Sequence, residues 1–143
     1  MSDWRADLGN FLIDHNRKNR AEKDAARFRT FLTNTALPAL QEVGNELKKY
    51  GRTVAIRQTE AAAVLTVTMG EENEITFYVM YRTMTDATIL PCAEAHYQSR
   101  KGQVPSKANV FFRDTAAPYA LEDITKEEII QGFLKVYRLT FED

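Results

Sequence analysis

The spacing of the apolar residues changes at Gly51, and this change limits the folds open to the chain more than any other feature. Before Gly51, apolar side chains recur every three or four residues, as on one face of an α-helix. After Gly51 they alternate with polar residues, as in a strand with one buried face. Helical spacing returns near the C-terminus. The order helices, strands, helix predicts an α+β fold.

Two helical segments are predicted before Gly51. Apolar residues at i, i+4, i+7 and i+8 from Trp4 define a short amphipathic helix, for which Ser2 or Asp3 can supply the N-cap. The polar segment 14–24 either interrupts the helix or carries it through solvent. A long helix is predicted over 21–50, and its Pro38 removes a backbone hydrogen bond, so we expect a kink or a break near 35–37. Gly51 suits a left-handed C-terminal cap.

An antiparallel meander of four to five strands is predicted next, because short turns connect the alternating segments. The segments are 52–58, 62–69, 74–82, 87–98 and 108–114. Pro91 indicates an edge position or a bulge, and 99–107 resembles an exposed loop. Thr125 and Glu128 have the spacing of a capping box that begins a helix over 126–138. The helices are expected to cover one face of the sheet in a single domain, 1–143.

Composition narrows the class of protein without selecting a function. The chain is 44% hydrophobic and 27% charged with a net charge of -1, as is typical of soluble globular proteins, so no overall field attracts nucleic acid or membranes. Cys92 is the single cysteine, which excludes an intramolecular disulfide and favours a reducing compartment. We see no signal peptide and no apolar run of about 20 residues. A cytoplasmic protein without a cofactor is expected.

The outward face of the predicted sheet is more apolar than a solvated antiparallel face usually is. Alternation places five residues of interface-like composition on it, which are Val64, Tyr78, Met80, Arg82 and Leu90. This face predicts a non-enzymatic protein-binding or adaptor domain, whose partner is another protein or a second copy of the chain. Cover by the first helix or by the 99–107 loop is the competing interpretation.

A basic stretch, 17–29, gives the first alternative function. Its cations are Arg17, Lys18, Arg20, Lys23, Arg27 and Arg29, against two acidic residues, and such a density can neutralise phosphates. A nucleic-acid-associated protein is therefore an alternative. However, Asp24 lies four residues after Arg20, so the cations do not form one pure stripe on a helix.

Glu94 and His96 give the second alternative, a small-ligand or metal-dependent enzyme. On a strand they share a face with their Cα atoms roughly 6.6 Å apart, so both could approach one metal. A site needs a third ligand, and the other histidine, His15, lies in the N-terminal helix. Cys92 and His96 would be roughly 13 Å apart, too far for a nucleophile–base pair. No phosphate-binding, nucleophile-elbow or zinc-protease motif occurs in the sequence, and no catalytic residue is predicted.

Overall fold

A computed structural model of the protein describes residues 3–86, 88–98, 104–117 and 119–142. Helix α1 (Trp4–Phe31) continues through a π-helical segment (Leu32–Ala36) into α2 (Leu37–Lys49). Five strands follow, which are β1 (Thr53–Gln58), β2 (Ala63–Met69), β3 (Glu72–Thr83), β4 (Ile89–Gln98) and β5 (Pro105–Phe111). A 3-10 turn (Leu121–Asp123) leads to α3 (Lys126–Leu139). The predicted α+β fold with an antiparallel sheet is confirmed.

The N-terminal helical region is continuous from Trp4 to Lys49, so the polar segment 14–24 carries the helix through solvent rather than interrupting it. Asp3 is the N-cap, and its carboxylate accepts a hydrogen bond from the backbone N–H of Arg5. Within the described part of the chain, no helix is both long enough and apolar enough to cross a bilayer.

The irregularity expected near Pro38 is a widened helical turn. The backbone N–H of Leu37 donates to the carbonyl oxygen of Leu32, five residues earlier, which is the π-helical pattern. Proline lacks an N–H, and its ring crowds the carbonyl group four residues before it. The wide turn that ends at Ala36, two residues before Pro38, lets the helix continue past the proline without a break.

The helix ends at Gly51 in a Schellman motif, as the glycine predicts. Gly51 has a φ of 84°, its N–H donates to the carbonyl oxygen of Lys48, and the N–H of Arg52 donates to that of Leu47. These two bonds satisfy carbonyl groups that the end of a helix would otherwise leave unpaired.

The strands form one sheet in the order β1-β2-β3-β4-β5, each antiparallel to its neighbour. Strand β5 starts at Pro105, three residues earlier than predicted, so part of the predicted 99–107 loop is strand; residues 99–103 lie outside the described residues. The earlier start arises from pairing, because Gln98 of β4 lies opposite Pro105. At its other end the β4–β5 ladder stops at Cys92, so Pro91 occupies a local edge.

The end of α1 from Phe28, the π-helical segment, α2 and α3 all pack on the same face of the sheet. The core cluster contains Phe28 and Leu32 of the helical region, Phe77 of β3 and Phe133 of α3, all fully buried or nearly so. The rings of Phe77 and Phe133 meet edge to face with centroids 5.3 Å apart. Burying each such ring is worth roughly 1.5–3 kcal/mol. We call this the inner face and the opposite side the outer face.

Polar contacts connect α3 to the segment after β5 at its start and to β3 near its end. At its start, Thr125 and Glu128 form the predicted capping box, and the guanidinium of Arg113 donates to both carboxylate oxygens of Glu128 at 2.6 and 2.9 Å. Near its end, the hydroxyl of Tyr137 donates to Glu74 of β3 at 2.8 Å. Arg52 donates to both oxygens of the same carboxylate at 3.1 and 3.2 Å.

Candidate protein-binding surface

An apolar strip runs across the outer face because the strand register aligns side chains from four strands. Met80 of β3, Cys92 of β4 and Phe111 of β5 are directly opposite one another. The two flanking rows add Tyr78 opposite Val64 and Leu90 opposite Arg82. We use the term outer strip for Val64, Tyr78, Met80, Leu90, Cys92 and Phe111. None of its members belongs to the core cluster on the inner face.

The five predicted partner-binding residues differ in how much surface they present. Val64 and Leu90 are only 2% and 8% exposed, so they present little surface to a partner. Tyr78 and Met80 are half-buried and Arg82 is exposed. The accessible part of the strip therefore comes mainly from the half-buried Tyr78, Met80 and Phe111.

Phe111 was not identified from the sequence as a surface residue. Its strand begins with Pro105 and Ser106, which have little strand propensity, so the pattern alone gives a weak signal of which side chains face outward. The register with β4 provides the missing information, because Phe111 lies opposite the outward-facing Cys92.

A polar cluster borders the outer strip. The Glu94 carboxylate contacts the Lys107 ammonium, and its Oε1 atom lies 3.4 Å from Nε2 of His96. The His96 ring meets the Tyr78 ring edge to face with centroids 5.3 Å apart. The hydrogen bond from Lys107, more than the neighbouring imidazole, lowers the pKa of Glu94. This arrangement gives the outer strip a charge-paired border.

The cluster does not contain a set of metal ligands. Glu94 and His96 do come together as predicted, but the next group on the carboxylate is the ammonium of Lys107, which cannot coordinate a cation. Across the described ranges, no group of three or more His, Cys, Asp or Glu side chains is placed to hold a metal. The other histidine, His15, is on α1.

Cys92 has the environment of a buried structural thiol. Burial raises its pKa, and a hydrogen bond with Arg82 opposes this only in part. A thiol with a raised pKa remains protonated at neutral pH and is a weak nucleophile. His96 lies four residues further along the same extended strand, so it is not placed to accept a proton from Cys92.

The predicted nucleic-acid-binding cations all lie on α1, and they are Arg17, Lys18, Arg20, Lys23, Arg27 and Arg29. Arg27 donates to Glu122 at 2.6 Å, so it fastens α1 to the 3-10 turn. At about 100° per residue, Arg20, Lys23 and Arg27 fall within about 60° of the helix circumference, whereas Lys18 and Arg29 lie nearly opposite them. The six cations therefore do not form one continuous basic face.

The first half of α1 forms a second exposed surface. Every residue from Trp4 to Lys23 is exposed except the half-buried Gly9, so this part of the helix extends beyond the domain. We call residues 4–19 the helical arm. The sequence gives a signal for this projection, because 14–23 contains no apolar residue larger than alanine and so provides no face that could pack on the sheet.

No protein-family model matches the chain, and neither the curated proteins nor the solved structures include one that is significantly similar to it.

Proposed function

We propose that this chain is a non-enzymatic protein-binding domain of the adaptor type, and that its outer strip associates with a second copy of the chain. The observation that carries the proposal is the apolar outer strip on the side of the sheet opposite the helices. A solvated antiparallel face usually alternates to polar residues at these positions.

The chemistry of the strip favours a protein partner. Tyr78, Met80 and Arg82 are of the residue types enriched at protein interfaces, and tyrosine and arginine dominate binding hot spots. Val64 and Leu90 are already buried, so little of their side-chain entropy would be lost on association.

A second copy suits this surface because a two-fold interface must be complementary to itself. The central row of Met80, Cys92 and Phe111 carries no charge, so the same row on a second copy can oppose it without unpaired ions. Two sheets that pack face to face are about 10 Å apart, a distance that side chains of this size can fill.

Sedimentation velocity between about 1 and 200 μM tests the proposal with the variant Tyr78→Glu. We expect the wild-type mass to approach twice the 16.4 kDa of one chain. The variant should raise the dimer dissociation constant at least tenfold, because dimerisation would bury an unpaired carboxylate in the interface. Thr53→Glu, on the outer face of β1 and outside the strip, is the matched control and should dimerise as the wild type does. A wild-type protein that stays monomeric at 200 μM would refute the proposal.

A further inference from the structure

We propose that the helical arm is a second recognition element, which inserts its apolar stripe into an apolar groove on a different protein, with lysine or arginine residues along one rim of that groove. The inference rests on the proposed protein-binding function but uses a surface separate from the outer strip. The proposals for the arm and for the outer strip can therefore be tested independently.

The first argument is the extent of apolar exposure on the arm. Trp4 is 60% exposed, Phe11 64%, Leu8 49% and Leu12 47%. Trp4 and Phe11 alone expose on the order of 250 Å² of side chain. With the two leucines, the stripe falls in the size range of the largest apolar patches on monomeric proteins, which often bind partners.

The second argument is the direction of the stripe. At about 100° per residue, the four apolar residues lie within about 100° of the helix circumference. Phe28 and Leu32, which face the core, lie roughly 150° and 110° away from the centre of this stripe. The stripe is therefore not an extension of the surface that packs on the sheet. Because the stripe is exposed to water, its burial by a partner would stabilise the arm.

The third argument is the distribution of charge beside the stripe. Asp7 and Asp14 fall within about 20° of each other on the helical projection and border one side of the stripe, and the N-cap Asp3 adds a third carboxylate just before the first turn. The only cation between Trp4 and Asn16 is Arg5, which lies on the other side. A groove that accepts this stripe would gain most from basic residues on the rim that faces the three aspartates.

The same charges disfavour a second copy of the chain on the arm. If Leu8 and Phe11 are taken as positions a and d of a heptad, antiparallel pairing places Asp7 of one copy near Asp14 of the other, which is repulsive. Parallel pairing places these aspartates near Leu12 and Asn19, which offer no cation. An anionic membrane surface is also disfavoured, because interfacial helices bind such surfaces through basic residues.

Trp4 provides the reporter for a test, since it is the only tryptophan in the chain. The probes are two synthetic amphipathic peptides with an identical leucine stripe, flanked by lysines in one and by glutamates in the other. The full-length protein is titrated with each, and Trp4 fluorescence is recorded. We expect a blue shift and at least tenfold tighter binding for the lysine peptide at low salt, with the preference shrinking at high salt.

Variants locate the effect on the arm. The double variant Asp7→Asn and Asp14→Asn should bring the two affinities to within about threefold. Glu22→Gln, which removes an exposed acidic residue beyond the arm, is the matched control and should keep the preference. Phe11→Ser should weaken binding of both peptides.

Four results would overturn the inference. They are equal binding of the two peptides, no response to either, a Trp4 shift caused by lipid vesicles alone, and a Trp4 shift that grows with the concentration of the protein itself. The titrations are repeated with Tyr78→Glu. An unchanged Trp4 response in that variant would show that the arm binds the peptide independently of the outer strip. The result would then hold even if the chain does not self-associate through its sheet.

Discussion

Replacing Tyr137 by phenylalanine tests the contact that connects the end of α3 to the middle of the sheet. The hydroxyl donates to Glu74 at 2.8 Å, and the Glu74 side chain is only 6% exposed. A hydrogen bond to a charged group contributes roughly 1.5–3 kcal/mol. Arg52 still donates to both oxygens of this carboxylate in the variant. We therefore expect a cost near the lower limit, about 1.5 kcal/mol at pH 8.

The stability cost of Tyr137→Phe should decrease as the pH rises above about 10. Burial, followed by the hydrogen bond to Glu74, raises the pKa of Tyr137 to about 12. The phenol ionises near pH 10 in the unfolded chain. The stabilisation from the protonated hydroxyl is fully present below pH 10 and is lost as the pH rises towards 12. At pH 10.5 the ionisation of Tyr137 should lower the free energy of unfolding of the wild type by about 0.5–0.8 kcal/mol, a range that is reduced for partial solvent exposure. The phenylalanine variant has no hydroxyl to ionise, so it should not show this loss.

Urea denaturation of both proteins at pH 8 and pH 10.5 measures this difference. The gap in free energy of unfolding should fall from about 1.5 to about 0.8 kcal/mol. Other groups titrate equally in both proteins, so their contributions cancel in the comparison. Tyr50→Phe is the control at pH 8, since Tyr50 is 70% exposed and its replacement should change stability by at most about 0.5 kcal/mol. A gap that is the same at both pH values, or larger at pH 10.5, would refute the reasoning.

The remaining predictions concern the termini and the packing of helices. Thr125→Ala should lower the free energy of unfolding by about 1 kcal/mol in urea titrations, because it removes the capping oxygen, and an unchanged value would show that the cap is not stabilising. Gly132→Ala should cost about 1–3 kcal/mol, because the new Cβ would lie 2.9 Å from two ring carbons of Phe112, and adding Phe112→Leu should recover part of that loss. Gly9→Ala meets no described atom within 4 Å and should instead raise helicity by circular dichroism, since alanine favours the helix by up to about 1 kcal/mol.

The features that sequence predicted well are local ones. The capping box at Thr125 and the Schellman motif at Gly51 each involve residues within five positions of one another, so the pattern contains all the information needed. The outward direction of Tyr78 and Met80 follows from simple alternation along one strand. These statements require no knowledge of what the rest of the chain contacts.

The features that sequence missed depend on contacts between distant segments. Glu74 and Tyr137 are 63 residues apart, and nothing in either local pattern indicates that they meet. Strand β5 extends back to Pro105 because of its partner β4, against the propensity of its own residues. The burial of Val64 and Leu90 on the outer face is likewise not revealed by alternation along a single strand.

The π-helical turn before Pro38 affects the direction in which the helical arm projects from the domain. A π turn holds one residue more than an α turn, and each residue of an α-helix advances the chain by about 100° around the axis. Deleting a single residue from Leu32–Ala36 would rotate everything N-terminal to it by about that angle relative to α2, and this rotation would also move Phe28 out of the core. The direction in which Trp4 and its neighbours project from the domain is therefore set by the number of residues in the segment Leu32–Ala36.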